Sequence, residues 1–330
     1  MPTKTTHATC PAENLSALSN TSEPVLLTPG PVPTQEVAIP ELAGTGIELH
    51  VRREDLLHPV ISGNKFRKLY YNLLMAGQEG HDTLLTFGGA FSNHIAATAR
   101  AGRESGFRTI GIIRGQELAS DPEANPTLQA AMADGMQLKF VSREAYREKD
   151  TPAFTAALKR EFGRFYRLPE GGTNRPGIRG CEEILTRTDR DFDVICCSVG
   201  SGGTIAGLIN ASASHQQVVG FPALKGEFLK KDIRSFVPKD NWYLETGYHF
   251  GGYAKINERL VAFINSFRRD TGIPLDPVYT GKLFYGILDL IGKGHFAEGT
   301  RILAIHSGGL QGIQGMNQRL KRIGMPMIDT

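Results

Sequence analysis

The sequence predicts an α/β protein built from two open, twisted, mostly parallel sheets with helices on both faces. Three observations carry that expectation. From residue 47 onward, short β-branched runs alternate with segments of helical periodicity, the pattern of βαβ units. The 330 residues suit roughly two domains at about 150 residues each. Apolar residues at 40% and charged residues at 22% give the balance of a globular chain with a real core.

The elements follow in order. The opening stretch MPTKTTHATCPAENLSALSNTSEP is polar and lacks a secretory apolar segment, so residues 1–40 are expected to form a loosely ordered arm. TLLTF (83–87) reads as a strand, GGAFSNH as its exit and IAATARAGRESG as a helix. RTIGIIRG (108–115) is the next strand. ANPTLQAAMADG reads as a helix ending at Gly135, and MQLKFV as a further strand. This series makes one unit over 68–173, and LPEGGTNRPG (168–177), rich in Gly and Pro, is the expected crossing. A second series starts at DVICCSV (193–199), passes GSGGT and enters the helix IAGLINASA. The strand QQVVGF and the helix EFLKKDIRSF come next. Amphipathic helices over 256–267 and 282–294 precede a last strand, RILAIH (301–306).

Composition also excludes function classes. Lys+Arg 37 against Asp+Glu 34 leaves +3 without a basic cluster, so nucleic acid and anionic membranes are not expected partners. No run reaches ~18 apolar residues, so no membrane span is expected. The four cysteines, Cys10, Cys181, Cys196 and Cys197, lack metal-ligand spacing, and no His/Cys/Asp/Glu set suggests a metal. Buried free thiols in a reducing, cytoplasmic compartment are expected, with Cys196 and Cys197 pointing to opposite faces of one strand.

CSVGSGGTIAGL (197–208) is the strongest motif. A buried strand ends, a glycine turn follows and a helix starts near Thr204, so converging N–H groups and the helix dipole would hold an anion such as a phosphate. The pattern G-x-G-x-x-G from Gly200 needs Gly or Ala at 205, where Ile205 stands, which argues against a nicotinamide-dependent oxidoreductase. A plain strand-to-helix turn would look the same. Lys65 follows Ser62-Gly63-Asn64 and opens a helical pattern, where the dipole disfavours a cation. On its own it reads as a solvated lysine, as does Lys68; with a phosphate cup elsewhere, an imine-forming lysine gains interest. Ser92 and Asn93 stand at a natural helix cap, where Ser92, Asn93, His94 and free amides could hold a carboxylate and a ring hydroxyl. Tyr253 and Tyr279 are candidate proton donors or ordinary packing residues. Ser307, before Gly308 and Gly309, ends a strand where α/β sheets place ligands. His249 and His306 read as packing histidines.

Together, GNKFRK, GGAFSNH, GSGGTIAGL, DPVYTGK and HSGG resemble, in order, the pyridoxal phosphate (PLP) dependent family of D-cysteine desulfhydrases and 1-aminocyclopropane-1-carboxylate (ACC) deaminases. The resemblance covers about 47–315. It implies the tryptophan synthase β-like, fold type II architecture, with a larger cofactor-binding domain from 41–67 and 174–330, a smaller domain from 68–173, and a homodimer. It further implies Lys65 as the lysine that carries PLP as an imine and Asn93 facing the ring hydroxyl. Ser92 is implied beside the substrate carboxylate, with His94 and Thr280 also near the substrate. Gly200, Ser201, Gly202, Gly203 and Thr204 match the phosphate loop, and Tyr253 and Tyr279 match the two active-site tyrosines.

ACC deaminases carry Glu after the second tyrosine and Leu before the final Gly-Gly; here Thr280 and Ser307 stand there, as in the D-cysteine branch. A hydroxyl such as Ser307 leaves the pyridine ring neutral and the electron sink weaker than a carboxylate would. The expected reaction is therefore α,β-elimination from a small D-amino acid, giving pyruvate, ammonia and sulfide, with Lys65 or a tyrosinate taking the α-proton. ACC deamination, a β-replacement synthase and a non-catalytic PLP-binding protein are the alternatives.

Overall fold

The computed structural model describes residues 27–61, 63–226 and 228–330. Cys10, most of the expected arm and Ser62 lie outside the described residues.

In chain order the first elements are β1 (Thr34–Glu36), β2 (Glu48–Arg52), α1 (Asn64–Gln78), β3 (Thr83–Gly89), α2 (Asn93–Ser105), β4 (Arg108–Arg114) and α3 (Pro126–Ala133). Next are β5 (Gln137–Val141), α4 (Arg143–Arg147), α5 (Pro152–Phe162), β6 (Tyr166–Arg167), α6 (Arg175–Glu182), β7 (Val194–Val199) and α7 (Gly203–Ala211). The chain closes with β8 (Gln217–Pro222), α8 (Phe228–Arg234), β9 (Trp242–Leu244), α9 (Glu258–Thr271), α10 (Thr280–Gly292), β10 (Arg301–Ile305) and α11 (Gly312–Arg322).

Two sheets result, one six-stranded in the order β1-β2-β10-β7-β8-β9 and one four-stranded in the order β5-β4-β3-β6. Every pairing is parallel except β1 with β2, an antiparallel edge. The central strand β7 is buried along its whole length, VICCSV, because helices cover both faces of the sheet. Cys196 packs with α9, α10 and α11 on one face, while its neighbour Cys197 packs with α6 and α7 on the other. Cys181, Cys196 and Cys197 are all buried free thiols, as their apolar context requires.

Helix ends follow local chemistry. Asn257 accepts a bond from the Leu260 amide and starts α9, which runs on to Gly272 in the left-handed region. The polar RRDT tail hides that extension from an apolar pattern. α2 is capped by the Ser92 hydroxyl and α6 by the Asn174 side chain.

Two sequence expectations need correction. Residues 27–40 are not a loose arm: Leu27, Val37 and Ile39 are buried and β1 pairs with β2, so apolar burial fixes this stretch. The expected boundary at 67/68 falls inside α1, whose continuous helix buries Phe66, Leu69 and Leu73 against α2 and β3. The glycine-rich crossing also contains the start of α6, at Arg175 and Pro176.

Candidate active site

A cavity of about 740 Å³ lies where the carboxyl ends of the two sheets face each other. Strand order explains the location. β8 lies on one side of β7 and β10 on the other, so a crevice opens between β7 and β10, where α/β sheets hold ligands. Ser198, the second-last residue of β7, and Ser307, just past β10, meet there with their hydroxyl oxygens 3.2 Å apart. The smaller sheet has its own switch at β3, flanked by β4 and β6. Ser92 and Asn93 follow β3, Glu170 and Gly171 follow β6, and all four line the same cavity.

Lys65 is delivered to this space by a close backbone approach. Gly63 has φ +61°, and a Cβ there would lie 1.9 Å from the Ser307 carbonyl oxygen. Only glycine fits. The Asn64 amide donates to that same carbonyl at 3.3 Å, which docks the start of α1 on the loop after β10. The Asn64 side chain then bridges two motifs: its Oδ1 accepts from Lys65 Nζ at 3.1 Å and its Nδ2 donates to Thr204 Oγ1 at 2.8 Å. Removal from water, reinforced by the Lys68 charge, lowers Lys65 from the usual lysine range to about 7.

Lys68, one turn on, is buried rather than solvated. Its Nζ donates to the Gly171 carbonyl at 3.2 Å and to Thr173 Oγ1 at 3.3 Å, and burial lowers its pKa. Among the described residues neither Lys65 nor Lys68 forms an ion pair with a carboxylate. Their helix-start spacing gives little hint of this, because the decisive neighbours come from residues 171–173 and 203.

The expected phosphate loop stands beside Lys68. Gly202 (φ +83°) turns the chain, and the amides of Gly203, Thr204 and Ile205 have no acceptor among the described residues, the usual state of a helix start. A Cβ at Gly203 would sit 3.0 Å from Lys68 Nζ. Thr204 accepts from Asn64, leaving its own hydroxyl proton free to donate, whereas Ser201 Oγ is shared with Thr173 Oγ1 at 2.6 Å. Unmatched positive charge, free amides and an imine-capable amine in one cavity suit a phosphate ester that carries an aldehyde, and PLP is such a molecule.

The opposite wall is the start of α2. Ser92 Oγ accepts from the Ile95 amide at 3.3 Å, so the amides of Asn93 and His94 remain for a ligand carboxylate. Asn93 lines the cavity against Gly309, whose Cβ would fall 2.9 Å from Asn93 Nδ2. The His94 ring packs beneath, its Nε2 at 2.9 Å from Thr86 Oγ1; burial and the two lysines hold it well below the usual histidine range, so it is neutral.

Tyr279 and Tyr253 meet edge to face, centroids 6.3 Å apart, at the cavity mouth. A Cβ at Gly200 would come within 3.2 Å of Tyr279 Cε1, so that glycine makes room for the phenol. Burial, with Tyr253 and Asp276 beside it, pushes Tyr279 well above the usual phenol range, and it stays protonated.

Thr280 is a correction. It does not line the cavity: its hydroxyl donates to Asp276 Oδ1 and accepts from the Asp276 amide, both at 2.8 Å. Asp276, which the sequence reading missed, also accepts from the amides of Val278, Tyr279 and Thr280 and so starts α10 two residues earlier than the apolar pattern predicts. The D-x-x-x-T spacing of an Asx-type cap could have revealed it.

The family model described as "Pyridoxal-phosphate dependent enzyme" matches residues 27–308. A Pyrococcus abyssi protein, named provisionally as a 1-aminocyclopropane-1-carboxylate deaminase, is 35% identical over 289 residues, covering 81% of this chain and 86% of the relative. A mitochondrial Arabidopsis thaliana protein named as a bifunctional D-cysteine desulfhydrase and 1-aminocyclopropane-1-carboxylate deaminase is 32% identical, covering 86% of this chain and 77% of its own. A crystal structure of an ACC deaminase homologue superposes with a TM-score of 0.79 at 30% identity, covering 92% of this chain and 97% of that one.

Proposed function

We propose, since this chain belongs to the family of pyridoxal-phosphate dependent enzymes, that it is a lyase of the D-cysteine desulfhydrase type. It eliminates the β-sulfur of a small D-amino acid and yields pyruvate, ammonia and sulfide.

Bound PLP supplies an electrophilic ring that draws electrons from the substrate's α-carbon. The chain's own residues do the rest. Lys65 holds the cofactor; when its amine is free, a pKa of about 7 makes Nζ a competent base for the α-proton at neutral pH. Tyr279, already protonated at neutral pH, is the poorer base. The α2 amides of Asn93 and His94, with the Ser92 hydroxyl, orient the substrate carboxylate and so fix which face of the α-carbon meets Lys65. Tyr279, with Tyr253 against it, donates a proton to the sulfur as the C–S bond breaks. Lys68, Thr204 and the amides after Gly202 take the phosphate.

One observation carries the choice of leaving group. Ser198 and Ser307 offer only hydroxyls at the switch point, and Asp276, a buried carboxylate on the cavity lining, is occupied by four donors. With hydroxyls and no carboxylate at the switch point, the bound ring would stay neutral and the electron sink weak, which suffices for expelling a good thiolate but suits cyclopropane opening poorly. The names of the relatives favour ACC deamination as the second reading.

The test is product release from D-cysteine, L-cysteine and ACC. Pyruvate from the D-isomer alone is the expected result; 2-oxobutyrate from ACC at a comparable rate would replace the first reading by the second. A homodimer in the cytoplasm completes the proposal, and sedimentation would measure the dimer.

A further inference from the structure

Lys282 is a buried charge that the chemistry above does not use. It lies in the first turn of α10, three residues past Tyr279, and is 2% exposed. Its Nζ donates to the carbonyls of His249 at 2.9 Å and Gly252 at 2.8 Å. Burial lowers its pKa to about 8, so it is an ammonium at neutral pH. A desolvated ammonium is costly, and here its two hydrogen bonds go to a single loop.

That loop, 249–254, cannot hold its shape alone. Phe250 (φ +53°), Gly251 (+93°), Gly252 (+121°) and Ala254 (+52°) all occupy the left-handed side of the map, two of them without being glycine. Backbone of this kind persists only where its surroundings over-determine it. Among the described residues the side-chain hydrogen bonds that tie it from outside come from Lys282, on the carbonyls of 249 and 252, and Arg319, whose Nη1 donates to the Ala254 carbonyl at 3.0 Å, while the Phe250 ring packs edge to face on Tyr285 of α10. Tyr253 sits between the tied positions. Its partner Tyr279 precedes the helix that carries Lys282.

We propose that Lys282 is a positioning residue that clamps the 249–252 backbone and thereby holds the Tyr253 ring against Tyr279 at the cavity mouth. One helix start then builds both halves of the tyrosine pair: Asp276 fixes Tyr279 through its backbone amide, and Lys282 fixes Tyr253 through the loop. The inference rests on the reading that this pair delivers the proton to departing sulfur.

Lys282→Met keeps the side-chain volume and removes the clamp. Hydrogen exchange should quicken severalfold in the peptide spanning 249–255, with the rest of the chain unchanged. kcat for D-cysteine should fall about 10- to 100-fold with KM held, the cost of a displaced acid. β-Chloro-D-alanine, whose chloride leaves without a proton, should lose far less. Tyr253→Phe added to Lys282→Met should cost little more than either alone. Unchanged exchange at 249–255, or equal kcat losses on both substrates, would overturn the proposal. If the wild-type enzyme releases pyruvate from neither compound, the functional reading falls and the exchange result still decides the clamp. Should Lys282→Met fail to fold, Lys282→Gln, which retains a donor for one carbonyl, is judged by the same two readouts.

Discussion

Replacing Lys68 by Met tests the assignment of the phosphate subsite most directly. Lys68 has two long hydrogen bonds, to Gly171 and Thr173, no carboxylate partner among the described residues, and 2% exposure. The protein alone therefore does not compensate the cost of burying it. A hydrogen bond from a charged donor to a phosphate contributes about 1.5–3 kcal/mol. Losing it should weaken PLP about 10- to 100-fold. Pyridoxal, which lacks the phosphate, should bind the variant as well as it binds the wild type. The apo-protein should be no less stable, since the substitution removes a desolvated cation and leaves a chain of similar volume. Absorbance titrations of both ligands, with thermal melts of the apo forms, measure all three quantities. An equal loss for PLP and pyridoxal would refute the assignment, because Lys68 would then be supporting the cavity wall and not the anion.

Lys65→Ala should abolish the coloured adduct, and borohydride trapping of the wild type should label Lys65 and not Lys68 in a peptide map. The depressed Lys65 pKa also makes apo stability pH-dependent: the unfolded chain holds the proton longer, so stability should rise from about pH 7 toward the ordinary lysine range, and melts of Lys65→Ala should lose that rise. Tyr279→Phe should reduce kcat for D-cysteine roughly 100-fold while leaving PLP affinity unchanged, as absorbance and steady-state rates would record. Thr280→Glu, which copies the ACC deaminase pattern, should destabilise the fold by about 2–4 kcal/mol in denaturant melts instead of creating that activity, because it breaks two bonds to Asp276 and sets a second carboxylate beside it.

Much of the fold was legible because parallel strands covered on both faces are written as unbroken apolar runs. VICCSV, TLLTF and RILAI announce themselves in this way. β1, β6 and β9 do not: with two or three residues each, they are defined by their neighbours and carry no period of their own. The cavity follows the same division. Residues that line the cavity from a turn of fixed chemistry, such as Gly202 or Ser92, sit in recognisable motifs. Asn64, Lys68 and Ser198 act through tertiary contacts more than 100 residues away that nothing beside them in the chain marks, whereas Asp276 acts through a cap that its spacing to Thr280 could have revealed.

Thr280 shows why a motif position is not yet a role. Its place after the second tyrosine suggests a side chain facing the ligand, yet Asp276 four residues earlier turns the same hydroxyl back into the helix start. The motif DPVYTGK thus contains two devices, an Asp–Thr cap that aims Tyr279 and a lysine that reaches the opposite loop. With glutamate at 280, the cap would lose its hydroxyl and gain a second carboxylate beside Asp276. Position 280 therefore tunes the start of α10.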